Sequence, residues 1–167
     1  DWPHPGHAGD MGSMQPRVRE AKRFPVIILA NGRSLEAPTR RELAEGLNLQ
    51  TMPGTDSYDV AIIGGGPAGL AAAVYGGSEG LRTIMIEREA PGGQAGTSSR
   101  IENYLGFPAG VSGDDLANRA LLQAKRFGTE ILVTRNVHAI ATEPGCHTIE
   151  LDGGVVLRAR AVVIATG

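Results

Sequence analysis

A single cysteine, Cys146, stands in 167 residues. It excludes an internal disulfide, and with it the stapled frameworks of small secreted domains, so the expected setting is reducing and cytoplasmic. The same count leaves no C-x-x-C dithiol. A charge of one sign is lacking too. The 16 Lys and Arg against 18 Asp and Glu leave a net charge of −2, which argues against nucleic acid or an anionic membrane as the main partner. No apolar run is longer than a strand, so no bilayer-spanning helix is expected. The start shows no charged segment followed by an apolar one, so secretion is not expected either. The length suffices for one full core, or for one domain and part of another. Asp1 in place of a methionine, and Gly167 directly behind an apolar strand, lead to the expectation that both ends are cuts through a longer protein.

What is present is concentrated between Tyr58 and Glu87, YDVAIIGGGPAGLAAAVYGGSEGLRTIMIE. An apolar run, a glycine-rich turn, a helical pattern and a second apolar run ending in an acid read as a nucleotide-binding βαβ unit. Gly64, Gly66 and Gly69 fill G-x-G-x-x-G around Pro67 and Ala68. The first glycine permits the tight turn, the second lets backbone approach a pyrophosphate, and the third lets helix pack on strand. The N-terminus of the helix then offers free N–H groups and a positive dipole end to an anion. Glu87 closes the second strand 23 residues after Gly64, near the spacing at which a carboxylate accepts from ribose hydroxyls. Arg88 beside it joins the candidate site. The alternative for the unit is a strand-to-helix turn with no ligand. Gly76 and Gly77 weaken the helix, and the expectation is close packing against a neighbour or fraying before Gly80 ends it.

Elsewhere the chain is less specific. Asp1 to Gln15 has no apolar period and many breakers, and residues 1–22 are expected as a disordered or remnant tail. His4 and His7 are expected to be solvated and not metal ligands; Arg17, Arg19, Lys22 and Arg23 read as a solvated face. Residues 23–49 read as ββα: a strand Val26–Ala30, a turn at Asn31-Gly32, a strand Ser34–Ala37, then a helix opened by the capping box Thr39-Arg40-Arg41-Glu42, with Leu43, Ala44 and Leu47 facing the hairpin. Residues 50–57, polar and with Pro-Gly, are the expected linker. Residues 58–167 form the last expected domain. In it, Ala90 to Gly113 is a long loop of the kind that is more often functional than idle. A helix is expected over Asp114–Phe127, buried through Leu116, Ala120, Leu121 and Ala124, with Asp114 and Asp115 as capping and dipole partners. A strand Glu130–Thr134 precedes a three-stranded meander over Val137–Arg158, with turns at Pro144-Gly145 and Asp152-Gly153-Gly154. Cys146 and His147 read as structural. Ala161–Ala165 is expected to be a buried parallel strand delivering Thr166-Gly167.

Three further motifs, GGQAG (Gly92 to Gly96), IENYLGFP (Ile101 to Pro108) and ARAVVIATG (Ala159 to Gly167), follow the glycine loop in an order that resembles the thioredoxin reductases and their low-molecular-weight flavoprotein relatives. The resemblance covers Tyr58 to Gly167. It implies an α/β fold: a Rossmann-like FAD-binding βαβ with a three-stranded β-meander, forming the first segment of an FAD domain. FAD is the implied cofactor, and NADPH is expected at a domain not present in this chain. The implied reaction passes electrons from NADPH through FAD to a disulfide, with a redox protein or small disulfide as substrate and a homodimer as the assembly. No catalytic residue is assigned in this chain. Gly92 and Gly93 remove side chains where backbone could approach a flavin edge, and Gln94 and Asn103 each offer a donor and an acceptor. By the resemblance Asn103 lies beside the flavin and Thr166-Gly167 at the turn that passes it. Ordinary loop hydrogen bonding is the alternative for Gln94 and Asn103. The loop departs from the usual reductase pattern over Ala95 to Arg100, which leaves thioredoxin as the particular partner open. The preceding ββα resembles the closing part of the thioredoxin and glutaredoxin fold, with Pro25 in the place of its cis-proline. Two other readings stay open: a ferredoxin reductase-like flavoenzyme with a non-disulfide acceptor, and a non-enzymatic flavin-binding module.

Overall fold

A computed structural model describes residues 21–167; Asp1–Gln15 with His4 and His7, and the basic residues Arg17 and Arg19, lie outside the described residues. Two compact units divide the chain, Asp1–Asn48 and Leu49–Gly167.

In the first unit, β1 (Val26–Ile28) and β2 (Ser34–Glu36) pair antiparallel with Val26 opposite Glu36. The turn closes where the Gly32 N–H donates to the Leu29 carbonyl at 2.8 Å. Helix α1 (Arg40–Gly46) starts from the expected capping box: Glu42 N–H donates to Thr39 Oγ1 at 3.2 Å and Thr39 N–H to Glu42 Oε2 at 2.7 Å. The Thr39 backbone donor holds the Glu42 carboxyl below its usual range. Ala44 is buried, and a Cβ on Gly46 would stand 2.9 Å from Leu29 Cδ1, so the helix sits on the hairpin. Leu47, expected on that buried face, is 54% exposed because the helix ends one residue before it. The Phe24–Pro25 peptide bond is cis, as expected from the sequence.

The second unit is built on one sheet of order β5-β4-β3-β8-β7-β6. Its strands are β3 (Ser57–Ile63), β4 (Thr83–Ile86), β5 (Glu130–Leu132), β6 (Val137–Glu143), β7 (Cys146–Leu151) and β8 (Val156–Ile164). β5, β4, β3 and β8 run parallel, and β8 is also antiparallel to β7. Helices α2 (Pro67–Ser78) and α3 (Gly113–Arg126) complete the parallel crossovers. The strands β3 and β4 are near-continuous apolar runs because both faces are covered. Ala61, Ile63, Ile84, Ile86 and Leu132 pack with Ile149, Leu151, Leu157 and Ala159 of the meander, while Ile62 meets the opposite side at α2.

Several expectations are corrected. The last meander strand and the Ala161–Ala165 strand are one element, β8, which pairs with β7 through Val156 to Ala159 and with β3 through Arg158 to Ile164. Its end is not buried: Ile164 is 63% exposed, because beyond Ala159 only β3 flanks it among the described residues. The α3 cap is Ser112, whose Oγ accepts from Asp115 N–H at 3.1 Å; Asp114 and Asp115 occupy the first turn, and Asp115 pairs with Arg119 at 2.9 Å. Strand β5 is shorter than expected, and Thr134 turns out of it with φ of 58°. Of the two readings of Gly76 and Gly77, close packing holds. A Cβ would stand 2.7 Å from Thr83 Oγ1 and 2.7 Å from Thr129 Oγ1 respectively, and the helix runs on to Ser78. Each interior glycine costs the helix about 0.8–1 kcal/mol relative to alanine, in exchange for contact with its neighbours.

Residues 50–57 are anchored on the second unit. The Gln50 carbonyl accepts from Val133 N–H at 3.0 Å, and Glu130 Oε2 accepts from Gln50 Nε2 at 2.7 Å, Gly54 N–H at 2.9 Å and the Tyr58 hydroxyl at 3.0 Å. Arg135, 5% exposed, donates to the Thr51 carbonyl at 2.6 Å and to the Asp152 carbonyl at 2.9 Å, and pairs with the Asp152 carboxylate at 3.1 Å. Cys146 and His147 have the structural surroundings expected: Cys146 Sγ lies 3.7 Å from the His147 carbonyl, and His147 Nδ1 3.1 Å from Thr142 Oγ1.

Candidate functional site

Three glycine-bearing segments meet at the C-terminal end of β3. Gly64 leaves the strand with φ of 107°, a left-handed value that favours glycine. Space makes the same demand, since a Cβ there would lie 2.5 Å from the Ala165 carbonyl oxygen and 3.0 Å from Thr166 Cα. The turn therefore rests on the backbone just past β8. The Gly64 N–H donates to the Ile86 carbonyl and the Ala165 N–H to the Ile63 carbonyl, both at 2.8 Å. From the third side the Gly92 N–H donates to the Gly65 carbonyl at 2.7 Å, and a Cβ on Gly93 would stand 3.0 Å from Gly66 Cα.

Above this floor α2 begins. Gly66 is its N-cap and Pro67 its first residue, and no side chain caps it. Proline is favoured there because its missing N–H is one that the helix would leave free anyway. A Cβ on Gly66 would meet nothing within 4 Å, whereas one on Gly69 would overlap the Gly64 carbonyl oxygen. The glycines thus divide: Gly64 and Gly69 are required by the protein's own packing, and Gly66 faces open space. Glu87 follows β4 and turns into the turn, with Oε2 accepting from Gly65 N–H at 2.6 Å and Oε1 from Glu89 N–H at 2.9 Å. Each oxygen keeps a lone pair for a further donor.

The structure brings Gly64, Gly66, Pro67, Ala68, Gly69, Glu87, Gly93 and Thr166 around one turn. Gln94 opens a 3-10 turn, Gln94–Thr97, and is exposed; Arg88 and Gly167 are exposed at its margins. Asn103 lies apart, exposed on a loop closed by reciprocal hydrogen bonds between Ile101 and Val111 at 2.7 and 3.0 Å. The loop nonetheless approaches the cradle, since Tyr104 lines an apolar cleft with Pro67, Leu70, Gly92, Leu116 and Ala117. Among the described residues no three His, Cys, Asp or Glu side chains gather as a metal site, and no helix is long and apolar enough to cross a membrane.

Sequence reasoning missed Gly113 and Arg135. A Cβ on Gly113 would overlap the Ala95 carbonyl oxygen, so this glycine lets α3 close on the 3-10 turn that carries Gln94. Its only signal is its place beside the helix-capping Ser112. Arg135 has none, for a lone arginine after a strand looks like any surface cation. Burial, reinforced by the Glu130 carboxylate, pushes the Tyr58 phenol up to about 12.

The pyridine nucleotide-disulphide oxidoreductase model matches residues 58–167, which is two-thirds of the chain. Thioredoxin reductase of Listeria monocytogenes is 42% identical over 110 residues, covering 66% of this chain and 34% of that protein. An Escherichia coli alkyl hydroperoxide reductase component is 36% identical over 137 residues, 80% of this chain and 25% of that protein. The crystal structure of thioredoxin reductase from Streptococcus pyogenes superposes with a TM-score of 0.63 at 35% identity, covering 67% of this chain and 36% of that one. The chain belongs to the pyridine nucleotide-disulphide oxidoreductase family, and its α/β fold is the Rossmann-like fold of the thioredoxin reductases it superposes on. It spans about a third of the length of the thioredoxin reductases it matches.

Proposed function

We propose that this chain holds FAD, as the FAD-binding part of a flavin-dependent NAD(P)H oxidoreductase that passes electrons from NADPH through FAD to a disulfide. The observation that carries the reading is the three-segment glycine cradle at an uncapped helix N-terminus. Such a terminus holds a pyrophosphate by backbone N–H groups and dipole alone. The residues present fit the group, because Gly66, where a Cβ would meet no protein atom within 4 Å, is where the ligand's phosphates need the room.

FAD, when bound, supplies the redox chemistry. The chain supplies position and electrostatics. Gly64, Gly66, Pro67, Ala68 and Gly69 form the pyrophosphate site. Glu87 accepts from the adenosine ribose and repels a 2′-phosphate, so it selects FAD over NADPH at this loop; Arg88 lies at the same edge. Gly93, Gln94 and Asn103 face the flavin, and Thr166-Gly167 pass it. NADPH binding and the dithiol belong to a domain that this chain does not contain. The electron acceptor is a redox protein or small disulfide and the assembly a homodimer; the relatives named thioredoxin reductase favour thioredoxin as the acceptor. The single cysteine suits a cytoplasmic setting. Residues 23–49 are a partial thioredoxin-like domain. The alkyl hydroperoxide reductase match supports a relationship upstream of Tyr58, since it covers more of the chain than residues 58–167.

Titrating FAD into the full chain, followed by quenching of flavin fluorescence, tests the reading. Saturable binding that Gly66→Val abolishes is the expected result, and equal affinity in the two proteins would overturn it. NADPH oxidation with DTNB should stay at the free-flavin background for this chain.

A further inference from the structure

The loop from Ile101 to Val111, which bears Asn103, carries Tyr104 to the edge of the cradle, yet it is long, with backbone hydrogen bonds at its base and in two tight turns. Its base is the Ile101–Val111 pair, reinforced where Arg100 Nη2 donates to the Ala109 carbonyl at 3.0 Å and Nε meets Glu102 Oε1 at 3.1 Å. Further out, Phe107 touches two partners. Its ring lies 6.1 Å from that of Tyr104 at 58°, and the Arg119 guanidinium carbon sits 5.9 Å from its centroid. Arg119 is oriented in turn by Asp115 one helical turn before it, Nε to Oδ2 at 2.9 Å, and that carboxylate raises the guanidinium pKa above its ordinary value. Asp115 is itself placed by the Ser112 cap of α3.

We propose that Arg119 is a positioning residue for the flavin site. Held by Asp115 on the rigid first turns of α3, its cation pins Phe107, and through Phe107 and Tyr104 it sets the loop that presents Asn103. The inference rests on the assignment of FAD to the cradle. It assigns a task to a cation on an exposed helix face that contributes little to the stability of the fold.

The test compares Arg119→Met, which keeps an apolar stem but no charge, with Arg119→Lys, which keeps a cation over the ring. Two readouts are taken on the full chain: amide hydrogen exchange of Ile101 and Val111 without ligand, and FAD affinity with the visible flavin spectrum. Arg119→Met should speed exchange in the loop and weaken FAD by about two- to fivefold, the loss of one exposed cation–π contact, with an unchanged melting temperature. Arg119→Lys should restore both. Parent-like exchange and affinity in Arg119→Met would overturn the proposal, as would faster exchange with unchanged affinity and spectrum. Faster exchange and weaker FAD binding in Arg119→Lys as well would point to lost packing and overturn it too. Failure of the parent chain to bind FAD would sink the functional reading, while the exchange data would still decide whether Arg119 holds the loop.

Discussion

The glycine cradle and the strap of residues 50–57 are assembled by opposite means. In the cradle, backbone meets backbone: Gly64 on Ala165, Gly69 on Gly64, Gly92 on Gly65. Side chains are few: Glu87 and Met85 reach Gly65. In the strap, charged side chains seize backbone: Glu130 collects three donors, and Arg135 spends its guanidinium on two carbonyls, a thioether and a carboxylate. Packing without side chains leaves backbone donors and volume open to a ligand. Packing through charged side chains turns their donors and acceptors inward onto the protein itself. The two regions should therefore respond differently to mutation, one losing affinity and the other stability.

The largest effect is expected at Arg135→Ala, which removes the guanidinium that donates to the Thr51 and Asp152 carbonyls and pairs with the Asp152 carboxylate. Losing the hydrogen bonds of this buried charged group costs about 1.5–3 kcal/mol, read as a lower urea midpoint. A loss under about 1 kcal/mol would place this network with ordinary surface pairs. Gly66→Val comes next. Its backbone φ of −71° and empty surroundings predict a folded protein, and FAD affinity should fall by about a hundredfold or more, with Cys146→Ser unchanged beside it. An unfolded Gly66→Val would erase the distinction between Gly64 and Gly69, which serve packing, and Gly66, which leaves room for a ligand. Glu87→Gln should weaken FAD by about tenfold, since an amide is a poorer acceptor for ribose hydroxyls; calorimetry showing parent affinity would confine Glu87 to holding Gly65.

Tyr58→Phe is the mildest, a loss of about 1 kcal/mol near neutral pH, and its signature is in pH. The phenol is raised from 10.0 to about 12 in the folded chain, so folding binds its proton more tightly. The stability this confers is complete below pH 10 and lost as pH rises toward 12. Unfolding free energies measured from pH 9 to 12 should fall less steeply for Tyr58→Phe than for the parent. Equal slopes would remove Tyr58 from the Glu130 network that holds residues 50–57.

Local sequence determined the elements whose signals are contiguous. The βαβ unit, the capping box at Thr39 and Glu42, and the turn at Asn31-Gly32 are read from neighbouring residues because caps, turns and periodicity act over a few positions. Gly64, Gly66 and Gly69 were legible for the same reason. Tertiary structure alone decided that Gly64 rests on Ala165, that Gly113 admits Ala95, and that Arg135 is buried, for each depends on residues 17 to 101 positions away. It decided too that β8 is one strand serving two partners with an exposed end. An apolar run such as AVVIA records the propensity for extended chain, but which of its edges is covered depends on the strands that fold around it.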